Sequence, residues 1–119
     1  MSEPSPMPVD RQPLHVRDVP ERSRYEATLG DDPTLTGLID YRASDGTITL
    51  LHTGVEDGYE GQGIGSRLVR GVFDDARARN LRIIPKCPFV VRWLERHPEQ
   101  SDIVIEAPDR RAQSDPEPA

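Results

Sequence analysis

The run Tyr59-Glu60-Gly61-Gln62-Gly63-Ile64-Gly65-Ser66 sits at the middle of a 119-residue chain, where the hydrophobic period changes. After it, Ile64, Leu68, Val72 and Ala76 recur every fourth residue, with Val69 and Phe73 beside them. That spacing predicts an amphipathic helix over residues 63–79. Asn80, which tolerates a left-handed backbone, can end it. A glycine-rich turn opening a helix leaves backbone N–H groups unpaired, and the helix dipole adds partial positive charge there. Glycines also let a bulky anion approach the backbone closely. The turn is therefore a candidate phosphate cradle. It is not the dinucleotide fingerprint, because Ser66 stands where Gly-x-Gly-x-x-Gly needs its third glycine. Nor is it a P-loop, because no Gly-Lys-Ser/Thr follows. On spacing alone, a glycine-rich connection that binds nothing stays open.

Upstream, the chain alternates with the period of half-buried strands. Tyr25, Ala27 and Leu29 alternate with Glu26 and Thr28, giving one or two strands over residues 16–29. Gly30-Asp31-Asp32-Pro33 breaks the chain. Leu35, Gly37, Ile39 and Tyr41 then mark a further strand. Asp45-Gly46 is a hairpin signal, and Ile48, Leu50 and Leu51 carry a strand over residues 47–55. Downstream, Leu81, Ile83 and Ile84 form a short strand. A strand–helix–strand order implies a right-handed crossover, so the strands at 47–55 and 81–85 should be parallel. Pro88 suits the first position of a second helix, in which Phe89, Val90, Trp93, Leu94 and His97 recur at spacings of three and four. Pro98 ends it, and residues 102–106 are expected to form a last edge strand. The fold class is α/β (α+β): a mostly antiparallel sheet with one parallel strand pair and two main helices.

Residues 1–13 and 108–119 are rich in proline and charge and lack apolar periodicity, so they are expected to be disordered tails around one domain at 14–107. The net charge of −6 and pI of about 5.0 argue against a nucleic-acid-binding module. Cys87 is the single cysteine, so no internal disulfide forms. No signal peptide and no membrane span are read from the sequence, and the expected location is cytoplasmic. There is no Cys/His cluster with zinc-ligand spacing, so no metal is expected.

Gly61-Gln62-Gly63-Ile64-Gly65 follows a strand that ends in His52-Thr53-Gly54-Val55 and precedes Pro85-Lys86-Cys87-Pro88-Phe89-Val90. These three motifs, in this order, resemble the GNAT acetyltransferase superfamily, and more narrowly its minimal branch of about one hundred residues. The resemblance spans residues 16–104. It implies a fold splayed around acetyl-CoA, which serves as co-substrate. The main-chain N–H groups of Gly61, Gln62, Gly63, Ile64, Gly65 and Ser66 would hold the pyrophosphate. The strand ending at Val55 would pair with the pantetheine arm. Glu60 departs from the pattern, since Gln or Arg is usual there, and is expected to point away from the anion. The helices that wall the acceptor site in larger members have no counterpart, so the acceptor cleft should be open.

Cys87 is expected at the start of the second helix, where the dipole favours a thiolate, and His52 near the end of a neighbouring parallel strand. Both should emerge at one end of the sheet. The minimal branch's matching His-Thr and Cys-Pro positions imply that Cys87 is a nucleophile and His52 its general base. The bland alternatives are a buried structural cysteine and a solvated histidine. His15 and His97 are read as structural or solvated, and Glu56, Asp57 and Glu60 as a solvated acidic loop. The activity implied is acetyl transfer from acetyl-CoA to an amine, a small molecule or a protein, either directly or through acetyl-Cys87. A non-catalytic acyl-CoA sensor and a phosphate-binding structural domain are the alternatives. A monomer or weak dimer is expected.

Overall fold

Alternating burial along the first half of the chain assembles a sheet, and the four-residue period of the second half lays helices on one face of it. The computed structural model describes residues 11–105. The strands are β1 (Leu14–Val19), β2 (Arg24–Leu29), β3 (Leu35–Ser44) and β4 (Thr47–Val55), followed by helix α1 (Ile64–Ala78), β5 (Arg82–Pro85) and α2 (Pro88–Arg96). They form one five-stranded sheet in the order β1-β2-β3-β4-β5. The first four strands are antiparallel, and β4 pairs β5 in parallel through Thr47–Arg82 to Leu50–Pro85. At the β3–β4 hairpin both Asp45 (φ 34°) and Gly46 (φ 78°) adopt the left-handed backbone that a tight two-residue turn requires.

Tyr25, Ala27, Ile39, Tyr41, Ile48 and Leu50 line the covered face of the sheet and pack against Leu68, Val69, Val72, Phe73, Val90 and Trp93 of the helices. Phe73 and Trp93 meet with ring centroids 5.0 Å apart. The other face is polar: Arg17 and Arg24 pair with Glu26, and Asp40 lies opposite His52. Helix α1 ends with Asn80 left-handed (φ 59°). The Leu81 N–H returns to the Ala76 carbonyl and the Asn80 N–H to that of Arg77, so these two carbonyls of the last turn are satisfied.

The edge strand expected over residues 102–106 is not formed. A 3-10 turn at Pro98–Ile103 takes its place, and a single parallel bridge joins Ile83 to Val104. Arg77 holds this segment as a turn, donating to Asp102 Oδ1 at 2.6 Å and to Gln100 Oε1 at 3.1 Å. Glu106 and the expected tails lie outside the described residues, except residues 11–13. Of these, Pro13 accepts from the Gly30 N–H at 2.9 Å, and Gln12 accepts from Arg67 through its carbonyl, so the body is tied down from Gln12 onward.

A polar network closes the far side of the core. Tyr41 donates to Asp18 at 2.6 Å, Tyr25 donates to Asp75 at 2.7 Å, and Arg79 bridges both carboxylates at 3.0 and 2.7 Å. Burial, with the Asp18 hydrogen bond adding to it, pushes the Tyr41 phenol from its ordinary 10.0 up to about 12. Burial and Asp75 move Tyr25 in the same direction. Both phenols bind their protons more tightly folded than unfolded, so their contribution is complete below about pH 10 and declines above it, that of Tyr41 being lost as pH rises through about 12. Tyr41→Phe is expected to lose about 1 kcal/mol at neutral pH and to flatten the decline in stability above pH 10. Urea unfolding on either side of that pH checks both. An undiminished alkaline decline in the variant contradicts this assignment.

Candidate active site

The parallel pair is short. β5 stops at Pro85, while β4 continues along β3 as far as Val55. The main-chain bonds between the two segments end with the Lys86 and Cys87 N–H groups, both donating to the Leu50 carbonyl at 3.0 Å. Beyond Leu50, residues 51–55 have no strand partner on the β5 side among the described residues. The sheet therefore splits, with Cys87 at the vertex and an unpaired backbone edge running along β4 to the glycine turn.

Internal bonds organise that turn. The Glu56 N–H donates to the Thr36 carbonyl at 2.8 Å, Tyr59 N–H to Glu56 at 3.1 Å, and Gln62 Nε2 to the Gly58 carbonyl at 3.2 Å. Glu60 accepts from the Gly58 N–H at 3.0 Å within the same turn. Gly61 and Gly63 have φ of 76° and 78°, and a Cβ at either would meet no atom within 4 Å. Gly63 caps α1 without a side-chain hydrogen bond. The first intrahelical bond, Arg67 N–H to Gly63 O, leaves the N–H groups before it without a helical acceptor. These are the features of an anion cradle: donors at a helix start and open space that a side chain would fill.

Two of the expected contact residues have another task. A Cβ on Gly65 would lie 2.7 Å from Phe89 Cζ, so Gly65 is a glycine because α2 packs against α1 there. Ser66 Oγ accepts from Trp93 Nε1 at 3.0 Å. Both retain backbone N–H groups in the first turn, and only these can serve the cradle.

Cys87 is the N-cap of α2, as Pro88 implied, with extended backbone angles (φ −73°, ψ 125°). The residue is 3% exposed and belongs to the core cluster. Its Sγ lies 3.2 Å from Thr53 Oγ1. His52 is brought to the same end of the sheet but onto the opposite face, with Nδ1 3.6 Å from Asp40 Oδ2 and a side chain 68% exposed. The expected Cys87–His52 contact is therefore not formed, and Thr53 is the partner of the thiol. The cause is a bulge: Asp40 pairs with His52 but Tyr41 with Leu50, leaving Leu51 as an extra residue. Ile48 and Leu50 face the core, and simple alternation would send His52 there too. One inserted residue exchanges the faces, and Thr53 points inward instead. His15 is exposed on β1, and His97 stacks on Trp93 at 4.5 Å.

Residues 24–103, from β2 through the turn at Pro98–Ile103, match the family model described as GCN5-related N-acetyltransferase. The chain belongs to the GNAT family. Among solved structures, this GNAT chain is similar to the NMR solution structure of a GCN5-like N-acetyltransferase candidate from Staphylococcus aureus. The two share 32% identity with a TM-score of 0.58, over 79% of this chain and 90% of that one. No curated protein matches it. GNAT proteins use acetyl-CoA, and the uncapped start of α1, the open space at Gly61 and Gly63, and the unpaired β4 edge fit such a ligand. Among the described residues no group of three or more His, Cys, Asp or Glu side chains could hold a metal ion. No described helix is long and apolar enough to cross a membrane. Thr53 was the residue sequence reading missed, although it stood within the quoted His52-Thr53-Gly54-Val55 motif.

Proposed function

We propose that this GNAT protein transfers the acetyl group of acetyl-CoA to an amine through Cys87. The observation that supports the proposal is the split between β4 and β5, with one buried thiol at the vertex and the glycine turn at the uncapped start of α1 at the far end of the same strand edge. Residues 51–55 span roughly 16 Å when extended, a distance along which an arm with two amide groups can pair with the strand edge. The pyrophosphate would sit on the N–H groups of residues 61–66, and the thioester would reach the vertex.

In the first step Cys87 Sγ attacks the acetyl carbonyl carbon, the carbon–sulfur bond to coenzyme A breaks, and the thiol proton passes through the Thr53 hydroxyl to the leaving sulfur. This is a thiol–thioester exchange and needs no other reactant. In the second step the amine nitrogen attacks the acetyl-cysteine, entering through the open side of the split between β4 and β5. Its proton passes to water, since His52 stands beside Asp40 on the face opposite the thiol. Cys87 leaves as thiolate and regains a proton from water. The Lys86 and Cys87 N–H groups are already engaged by Leu50, so oxyanion stabilisation must come from other donors at the edge.

Acetyl-CoA consumption measured against a panel of small amines and peptide N-termini tests the activity. Release of free coenzyme A is expected to depend on the amine supplied. Tight binding of acetyl-CoA with no turnover across the panel would instead make the protein an acyl-CoA sensor.

A further inference from the structure

The two helices form a groove beside the glycine turn, lined by Ser66, Phe89, Arg92, Trp93, Arg96 and His97. Trp93 is its floor, fixed by the hydrogen bond from its indole to Ser66 and by stacking on His97. The Arg70 guanidinium lies 5.7 Å from the Trp93 ring centroid. Arg92 and Arg96 are one helical turn apart on α2 and exposed, and neither makes an ion pair with a carboxylate among the described residues. No carboxylate lines the groove. In a chain of net charge −6 this is a local excess of positive charge, placed over an aromatic floor.

Guanidinium groups present a planar fork of donors that matches a phosphate, and a pair of them suits a dianionic monoester. Ser66 ties the groove to the cradle, because its backbone N–H belongs to the uncapped first turn of α1. A ligand whose diphosphate sits on that turn and whose monoester phosphate lies one sugar away would place the monoester beside Arg92 and Arg96. Coenzyme A has that chemistry: it carries a phosphate on the ribose 3′ oxygen that dephospho-coenzyme A lacks. We infer that the groove between α1 and α2 holds the 3′-phosphate of coenzyme A, with Arg92 and Arg96 as its ligands. This rests on the assignment of coenzyme A to the glycine turn. It also adds a specificity: the protein selects coenzyme A over its dephosphorylated form.

Calorimetry with coenzyme A and dephospho-coenzyme A, on the full chain and on the Arg92→Gln/Arg96→Gln double variant, tests this. The natural chain is expected to bind coenzyme A roughly tenfold more tightly at low salt, with the preference shrinking as salt is added. The double variant should lose the preference while binding dephospho-coenzyme A as the natural chain does, which also shows that it is folded. Equal affinities in the natural chain, or a preference kept by the double variant, would overturn the inference. So would loss of both ligands in a double variant of unchanged melting temperature, since the arginines would then serve the shared diphosphate. Failure of the natural chain to bind either ligand would remove the coenzyme A assignment itself, and the inference with it.

Discussion

Cys87→Ala is expected to lower amine acetylation by at least about a hundredfold while leaving coenzyme A affinity within about twofold. The thiol stands at the vertex of the split, 3.2 Å from the Thr53 hydroxyl, and a thiol exchanges directly with a thioester. Its removal takes away the acceptor of the first step without touching the cradle at the other end of β4. Because Cys87 is buried, the natural protein should react slowly with iodoacetamide despite the helix start beside it. The positive sign of the covalent route is an added acetyl mass on Cys87 after incubation with acetyl-CoA alone, discharged when an amine is supplied. A Cys87→Ala protein that keeps most of its activity would exclude the route and leave direct attack by the amine. Thr53→Val separates positioning from structure. It should lower the rate of cysteine acetylation while the KM for acetyl-CoA stays close to that of the natural protein.

The second large effect is expected at Gly63. A β-branched residue there would have to hold φ near 78°, and its side chain would project into the empty space where no protein atom lies within 4 Å. The strain alone costs about 1–2 kcal/mol, which a domain of ordinary stability tolerates. Filling the cradle removes charge-assisted bonds worth about 1.5–3 kcal/mol each, so coenzyme A affinity should fall roughly ten- to hundredfold. Gly46 provides the control, because it has the same φ of 78° and the same open surroundings in the hairpin between β3 and β4. Gly46→Ile should lose similar stability and keep its affinity. If both variants bind as the natural chain does, the ligand does not use the turn.

Much of this was legible because the deciding residues act locally. Asp45-Gly46 specified its hairpin, Asn80 its helix end, and Pro88 placed Cys87 at the N-cap of α2. The four-residue apolar period located α1 to within one residue at each end. What stayed hidden depends on register and packing between distant segments. The Leu51 bulge arises from how β3 and β4 pair, and it decides whether His52 or Thr53 meets the thiol. Gly65 read as part of a phosphate motif, whereas its missing side chain makes room for Phe89, a contact between two helices that spacing along one of them does not reveal. The segment after Pro98 has strand-like residues, yet Arg77, on another element, holds it as a turn through Asp102 and Gln100. The groove beside Trp93 is likewise assembled from two helices and has no linear motif.

In the mechanism proposed above, coenzyme A lies along the split, from the glycine turn to Cys87. Backbone amide NMR of the isotope-labelled protein, titrated with coenzyme A, tests it most directly. Saturable shifts are expected at residues 51–55 and 61–66 and at Lys86 and Cys87, with the hairpin at Asp45 and Gly46 unmoved. Saturable shifts confined to other parts of the sheet, or none at millimolar ligand, would contradict it.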